Sequence, residues 1–256
     1  MPQTEISTLT YNLPKLVNEN GGQTRIFIPK YGNINERRHQ LHEVIRLSGI
    51  NLIIDDMDMP LIIKVASIPK ERMQVYFIDS EDYFKGRSGY SKDENNKLYK
   101  DNDERSIFFS KGVIETIKKL NWAPDLIHVH GWIASLLPLY MKYYYKDDPI
   151  FDGTKVVVSL YENALDGKMD KNFVKKIKYD EIDDSNLTLL NESTYENLYK
   201  IALKYADGAI LTSDLKNKFS DLLKNIDIPI LECPHSSDDY KEKYSEFYNS
   251  FLLNED

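Results

Sequence analysis

The amino-acid sequence predicts an α/β fold, a mostly parallel sheet with helices on both faces. Two observations carry this. Short runs of β-branched and aliphatic residues recur along the chain, and segments of helical length with apolar residues at three- and four-residue spacing lie between the later runs. Strands that alternate with helices make a parallel sheet that is apolar on both sides, and helices must cover both.

The strand-like runs are residues 24–29, 52–55, 61–67, 73–79, 126–130, 155–160 and 208–212, and helical spacing marks 107–120 and 193–205. The alternation is Rossmann-like, and the whole chain, 1–256, reads as one domain. Residues 236–256 form its last element: Tyr240, Tyr244, Phe247, Tyr248, Phe251 and Leu252 fall on one face of a helix that must pack on something. Two polar, acidic stretches, 88–104 and 179–186, read either as loops over the carboxyl edge of the sheet, where such folds place ligands, or as solvated connectors.

A chain of 256 residues with 41% hydrophobic content can build a sizeable core. Its 33 basic and 41 acidic side chains give a net charge of −8, which repels phosphate backbones and anionic lipid, so neither nucleic acid nor a membrane surface is an expected partner. The longest apolar stretch, 131–141, is far shorter than the roughly 18–20 residues that cross a bilayer. Residues 1–5 carry no secretion-type pattern, and Cys233 is the single cysteine, which suits a reducing cytoplasm; the sequons at Asn186 and Asn191 are then accidental. The sequence holds no G-x-G-x-x-G cradle, no cysteine ligand set and no internal repeat.

Four stretches carry a resemblance. Gly21 to Gly32 ends in Pro29-Lys30-Tyr31-Gly32; Asp101-Asn102-Asp103-Glu104-Arg105 precedes Phe108-Phe109; Trp122-Ala123-Pro124-Asp125 runs on to His128-Val129-His130-Gly131-Trp132; and Tyr205-Ala206-Asp207 precedes Leu211-Thr212-Ser213. In this order they resemble the Pro-basic-aromatic-Gly turn, the D-N-x-x-R-F helix start, the W-x-P-D…H-x-H-D-W segment and the Y-A-D…V-S turn of bacterial glycogen and starch synthases. The resemblance implies the amino-terminal half of a GT-B glycosyltransferase, the half that walls the acceptor glucan. It implies transfer of glucose from ADP-glucose to the non-reducing end of an α-1,4-glucan with retention, without a metal or other cofactor. In place of a metal, cationic side chains and backbone N–H groups neutralise the departing diphosphate.

The residues also depart from the family. Its donor loop, K-T-G-G-L-A-D, aligns with Pro2-Gln3-Thr4-Glu5-Ile6-Ser7-Thr8: Pro2 replaces the cation that meets the phosphates, Thr4 and Glu5 replace the glycines, and Glu5 repels phosphate. The donor-contacting histidine aligns with Tyr161, and the aspartate and last histidine of H-D-W-H with Gly131 and Ile133. Nothing after Ser213 resembles the family's donor-binding half, whereas the terminal aromatic helix is similar to the helix that returns from that half to the first. These departures predict impaired transfer, α-glucan as the ligand, ADP-glucose bound weakly if at all, and, as the alternative, a non-catalytic glucan-binding or enzyme-partner protein. In the family a central strand precedes the donor loop. The sequence here therefore predicts either a start about 15–20 residues upstream of Met1 or a sheet that closes over the gap.

The candidate cleft residues are Asp101, Asn102, Arg105, His128, His130, Trp132 and Tyr161. Asp101, Asn102 and Arg105 either line a sugar cleft, where planar polar groups suit vicinal hydroxyls, or cap and anchor the helix that starts there. His128 and His130 share one side of a strand but lack a third ligand of suitable spacing, so a hydrogen-bonded pair is expected and no metal. Trp132 either stacks on a glucose ring or, as expected, packs the core after the strand. Lys171, Lys175, Lys176 and Lys178 read as a solvated helix face, and Asp55, Asp56 and Asp58 as an acidic turn without the rest of a calcium loop.

Overall fold

Val156, Val157 and Val158 are all buried, and their alternate side chains enter two different cores. Period-2 alternation makes that possible, and a strand with apolar residues on both faces is the mark of a covered parallel sheet. The computed structural model of the chain describes residues 5–68, 71, 73–87, 91–161, 167–232 and 237–252. Helix α1 (Glu5–Glu19) leads into β1 (Arg25–Pro29), β2 (His42–Glu43), the hairpin of β3 (Ile50–Ile54) and β4 (Met57–Ile68), and β5 (Met73–Asp79). Helix α2 (Asn102–Leu120) then precedes β6 (Leu126–His130), and α3 (Leu137–Tyr143) precedes β7 (Lys155–Ser159). Helices α4 (Phe173–Lys178), α5 (Asp184–Leu187) and α6 (Tyr195–Tyr205) lie between β7 and β8 (Gly208–Leu211). Helices α7 (Ser213–Lys218) and α8 (Ser220–Leu223) precede β9 (Ile230–Glu232), and α9 (Tyr240–Leu252) follows.

These strands form two sheets. One is purely parallel, in the order β6-β7-β8-β9, with Leu126 opposite Lys155 and His130 opposite Ser159. The other is mixed, in the order β1-β5-β4-β2 with β3 added on β4; only β1 and β5 run parallel in it. Among the described residues β1 and β6 do not pair with each other, so of the two alternatives drawn from the sequence the closed sheet is not seen. Side chains join the two sheets instead. The Arg25 guanidinium lies 4.4 Å from the centre of the Trp122 ring, near the amino-terminal ends of β1 and β6. Beyond their carboxyl ends, Tyr31 and Trp132 both face Arg105 of α2.

Helix α2 starts five residues before the apolar periodicity does, because Asn102, Asp103, Arg105 and Ser106 in its first turns are polar yet buried. Gly112 lets it approach the mixed sheet: a Cβ there would sit 3.1 Å from Ile78 Cγ2 and 3.2 Å from Leu61 Cδ1. Strand β4 begins four residues earlier than its apolar run suggested, since Asp58 and Pro60 interrupt the pattern on an exposed hairpin. The left-handed Asp55 (φ 58°) makes that hairpin's acidic turn.

The aromatic face of α9 lies on the parallel sheet. Tyr244 and Tyr248 are buried with Leu9 and Leu13 of α1 against Val157, Ile210 and Tyr161. Contact is closest at Gly208, where a Cβ would come within 2.5 Å of Phe251 Cζ and 3.2 Å of Phe247 Cζ. Gly208→Val is therefore expected to cost about 1–3 kcal/mol in urea unfolding. Adding Phe251→Ala removes the closer of the two contacts, and the double variant should lose less than the two single variants together.

Candidate functional site at the carboxyl edge

Strand β6 turns His128 and His130 to one side and buries Val129 on the other. The two imidazoles are 4.0 Å apart between ring centres. His128 holds two hydroxyls: its Nδ1 is 2.7 Å from Tyr248 Oη of α9, and its Nε2 is 2.8 Å from Ser159 Oγ at the end of β7. His130 Nδ1 is 2.7 Å from Tyr161 Oη. Burial, and then the neighbouring Tyr244, push the Tyr248 hydroxyl well above its ordinary pKa, so it stays protonated. Ser159 is fully buried and Tyr161 is 4% exposed. The pair is thus a hydrogen-bonded lock between strand ends and the last helix. Gly131 follows with φ 71°, a conformation that suits glycine, and its carbonyl accepts from Ser135 Oγ at 2.9 Å.

The second group gathers where α2 begins. Asp101 Oδ2 accepts from Arg87 Nη2 at 2.6 Å, and Arg87 in turn stacks 4.2 Å from the Tyr99 ring centre. Asn102 Nδ2 donates to the Ser91 carbonyl and to Tyr195 Oη, both at 2.8 Å, while its Oδ1 accepts from Arg105 Nη1 at 2.6 Å. Tyr31, Phe84, Tyr99 and Trp132 surround the fully buried Arg105 guanidinium, with ring centres 5.3–5.8 Å away. Burial lowers its pKa from the ordinary arginine value. Arg105 Nε and Nη2 and Asp101 Oδ1 have no partner among the described residues. Trp132 is 8% exposed and meets Tyr195 edge-on at 5.7 Å. Asp101, Asn102 and Arg105 thereby anchor the 91–99 loop and α6 to α2, although the Asp101 carboxylate does not cap the helix.

Of the sequence candidates, the structure joins His128, His130 and Tyr161 in one network and Asp101, Asn102, Arg105 and Trp132 in another. Pro2 and Thr4 lie outside the described residues, as does the side chain of Glu5, the first residue of α1.

Sequence reasoning missed a third group. Asp103 is fully buried and its Oδ2 accepts from Lys176 Nζ at 2.7 Å; Lys176 also donates to Glu104 Oε1 at 2.6 Å, and Glu104 Oε2 accepts from Tyr83 Oη at 3.0 Å. Lys111 is buried against Asp180, which also accepts from Tyr140 Oη at 2.8 Å. Lys176 is therefore not part of a solvated face. It lies three residues after Phe173 and next to Ile177 on the buried side of α4, a spacing that was readable. The 179–186 stretch is no solvated connector either, since Asp180 pins it to α2.

Burial raises the Asp103 pKa against the pull of Lys176, as two carboxylates share one ammonium. Burial alone would lower the Lys176 pKa, and its bonds to Asp103 and Glu104 outweigh that and raise it. Lys176→Met should strand the Asp103 charge and cost about 3–5 kcal/mol at neutral pH, and Asp103→Asn added to it should recover much of the loss. The raised Asp103 pKa sets the sign with pH. As pH falls through it the stranded carboxylate takes a proton, so urea unfolding should show the gap between the K176M variant and the parent narrowing on the acid side.

Among the described residues no three His, Cys, Asp or Glu side chains gather as a metal site, and no helix is long and apolar enough to cross a membrane.

The family profile described as starch synthase catalytic domain matches residues 4–215. The chain belongs to this family. It is 34% identical over 204 residues to a glycogen synthase of Chlorobium limicola, with 80% of this chain and 41% of that protein covered. A glycogen synthase of Chlorobaculum tepidum is 37% identical over 203 residues, with 79% and 41% covered. The chain thus spans about two-fifths of the length of the curated relatives it matches. Its fold is also that of the catalytic domain of starch synthase IV from Arabidopsis thaliana, solved with ADP and acarbose: the TM-score is 0.68 at 16% identity, over 93% of this chain and 50% of that one. This starch-synthase-type domain is accordingly α/β, with the Rossmann-like half of a GT-B architecture, as the sequence motifs implied.

Proposed function

We propose that residues 1–256 form the glucan-facing half of a glycogen-synthase-type glucosyltransferase of the cytoplasm, and that transfer from ADP-glucose is impaired in them alone. The observation that carries this reading is Tyr161. In the resemblance drawn from the sequence it stands for the family's donor-contacting histidine; it is buried, and its hydroxyl lies 2.7 Å from His130 Nδ1. Charge at the same edge supports it. Lys30 is paired with Glu36, Arg87 with Asp101, and Lys176 with Asp103 and Glu104, so these cations are compensated before a diphosphate arrives. α-Glucan remains as the ligand, and the reading includes no metal or cofactor.

Incubation of the purified protein with labelled ADP-glucose and a glycogen primer should give incorporation no greater than a heat-killed control, while the protein is retained on glycogen in affinity electrophoresis. Incorporation above the control would overturn the impaired chemistry. Loss of retention would overturn the glucan-facing role.

A further inference from the structure

Among the described residues seven large apolar side chains are exposed, and four of them gather around the β3–β4 hairpin and the ends of α3 and α4: Ile53 (44%), Met57 (61%), Tyr144 (47%) and Tyr179 (51%). The buried Lys111 of α2 brings them together. Its Nζ donates to the Ile53 carbonyl at 2.9 Å, lies 5.3 Å from the Tyr144 ring centre and is paired with Asp180, the residue after Tyr179. Met57 stands at the tip of the same hairpin, where Asp55 reaches Lys175 of α4 at 3.8 Å.

One exposed apolar side chain is ordinary, but a group of them marks a surface that is covered in use. Side chains of this size present about 200 Å² each, so four of them about half open leave on the order of 400 Å² of apolar surface. Interfaces are about 57% apolar on average, which extends such a patch to roughly 700 Å², close to the ~800 Å² that each partner gives to a stable complex. Tyrosine and methionine are also enriched where interfaces are most buried.

The charges at its border say what covers it. Asp56 and Asp58 are exposed on the hairpin side, and Lys171 and Lys175 on the α4 side. Asp56, Asp58 and Lys171 have no ion pair among the described residues, and Lys175 has only the 3.8 Å contact with Asp55. An acidic partner would be repelled by the aspartates and a basic one by the lysines. A second copy related by a two-fold axis meets neither penalty: its lysines come to these aspartates, its aspartates to these lysines, and the apolar side chains of both lie between. We propose that this face is a self-complementary dimer interface between two copies of the chain. It stands independently of the glucan reading.

Sedimentation equilibrium between about 1 and 100 µM tests it. The mass should rise with concentration from the 29.9 kDa of one chain towards twice that. Met57→Glu and Tyr179→Glu, at exposed positions, should each raise the dimer dissociation constant by about tenfold or more. Charge exchange gives a result that misfolding cannot imitate. A chain with Asp56→Lys and Asp58→Lys, and another with Lys171→Glu and Lys175→Glu, should each stay monomeric because like charges meet across the axis. An equal mixture of the two should dimerise, since every pair is again opposite. The mass of one chain throughout the range overturns the proposal and leaves the face to a different polypeptide. Dimers that survive Met57→Glu and Tyr179→Glu, or a mixture that stays monomeric while the parent dimerises, overturn it as well.

Discussion

Helix α2 carries Asp103, Arg105 and Lys111, each no more than 3% exposed, and a charge so buried costs several kcal/mol unless it is met by an opposite charge or well-placed partners. Much of the surrounding structure supplies those partners. Lys176 comes from α4 and Asp180 from the turn after it, while Asn102 and four aromatic rings gather around Arg105. The segment between β7 and β8 is therefore positioned by the charges it must neutralise. The same helix touches the mixed sheet through Gly112 against Leu61 and Ile78, and the turn after β6 through Ser106 Oγ, which donates to the Trp132 carbonyl at 3.4 Å, while its Ile107 and Phe108 share one apolar cluster with Val129, Val156 and Val158 of the parallel sheet. Two sheets with no shared ladder among the described residues thus have one core.

The opposite face obeys a different rule. There α1 and α9 cover Val157 and Ile210 with leucine and tyrosine, and His128 ties α9 to the strand ends through Tyr248. Gly208 sets how closely α9 can lie. Together these contacts turn the histidine pair, tyrosine and serine of the carboxyl edge into structure. The proposed loss of transfer chemistry follows from that use of polar groups: a hydroxyl or imidazole already bonded inside the fold must be released before it can serve a ligand.

The sequence showed much of this and hid the rest for physical reasons. β-Branched and aliphatic runs located β1, β5, β6, β7 and β8 closely, because at least one face of each strand packs on apolar neighbours, and in β7 and β8 both faces do. The motif around Asp101 and His128 identified the family, and the period of β6 put both histidines on one side. Strands β2 and β9, of two and three residues, are too short to show a pattern, and the first turn of α2 is hidden because its buried residues are polar. Lys176 looked solvated because composition prices a lysine as exposed. Its partner Asp103 is 73 residues away in the chain, and only tertiary structure brings them together.

The central claim is that α2 and its buried charges make the mixed and parallel sheets one cooperative body. Native-state amide hydrogen exchange across a denaturant series tests it most directly. The account predicts that the slowest amides of β5, α2 and β7 exchange with one common opening free energy and one common denaturant slope. A lower free energy and shallower slope for β5 than for β7 would contradict it, because the mixed sheet would then open on its own.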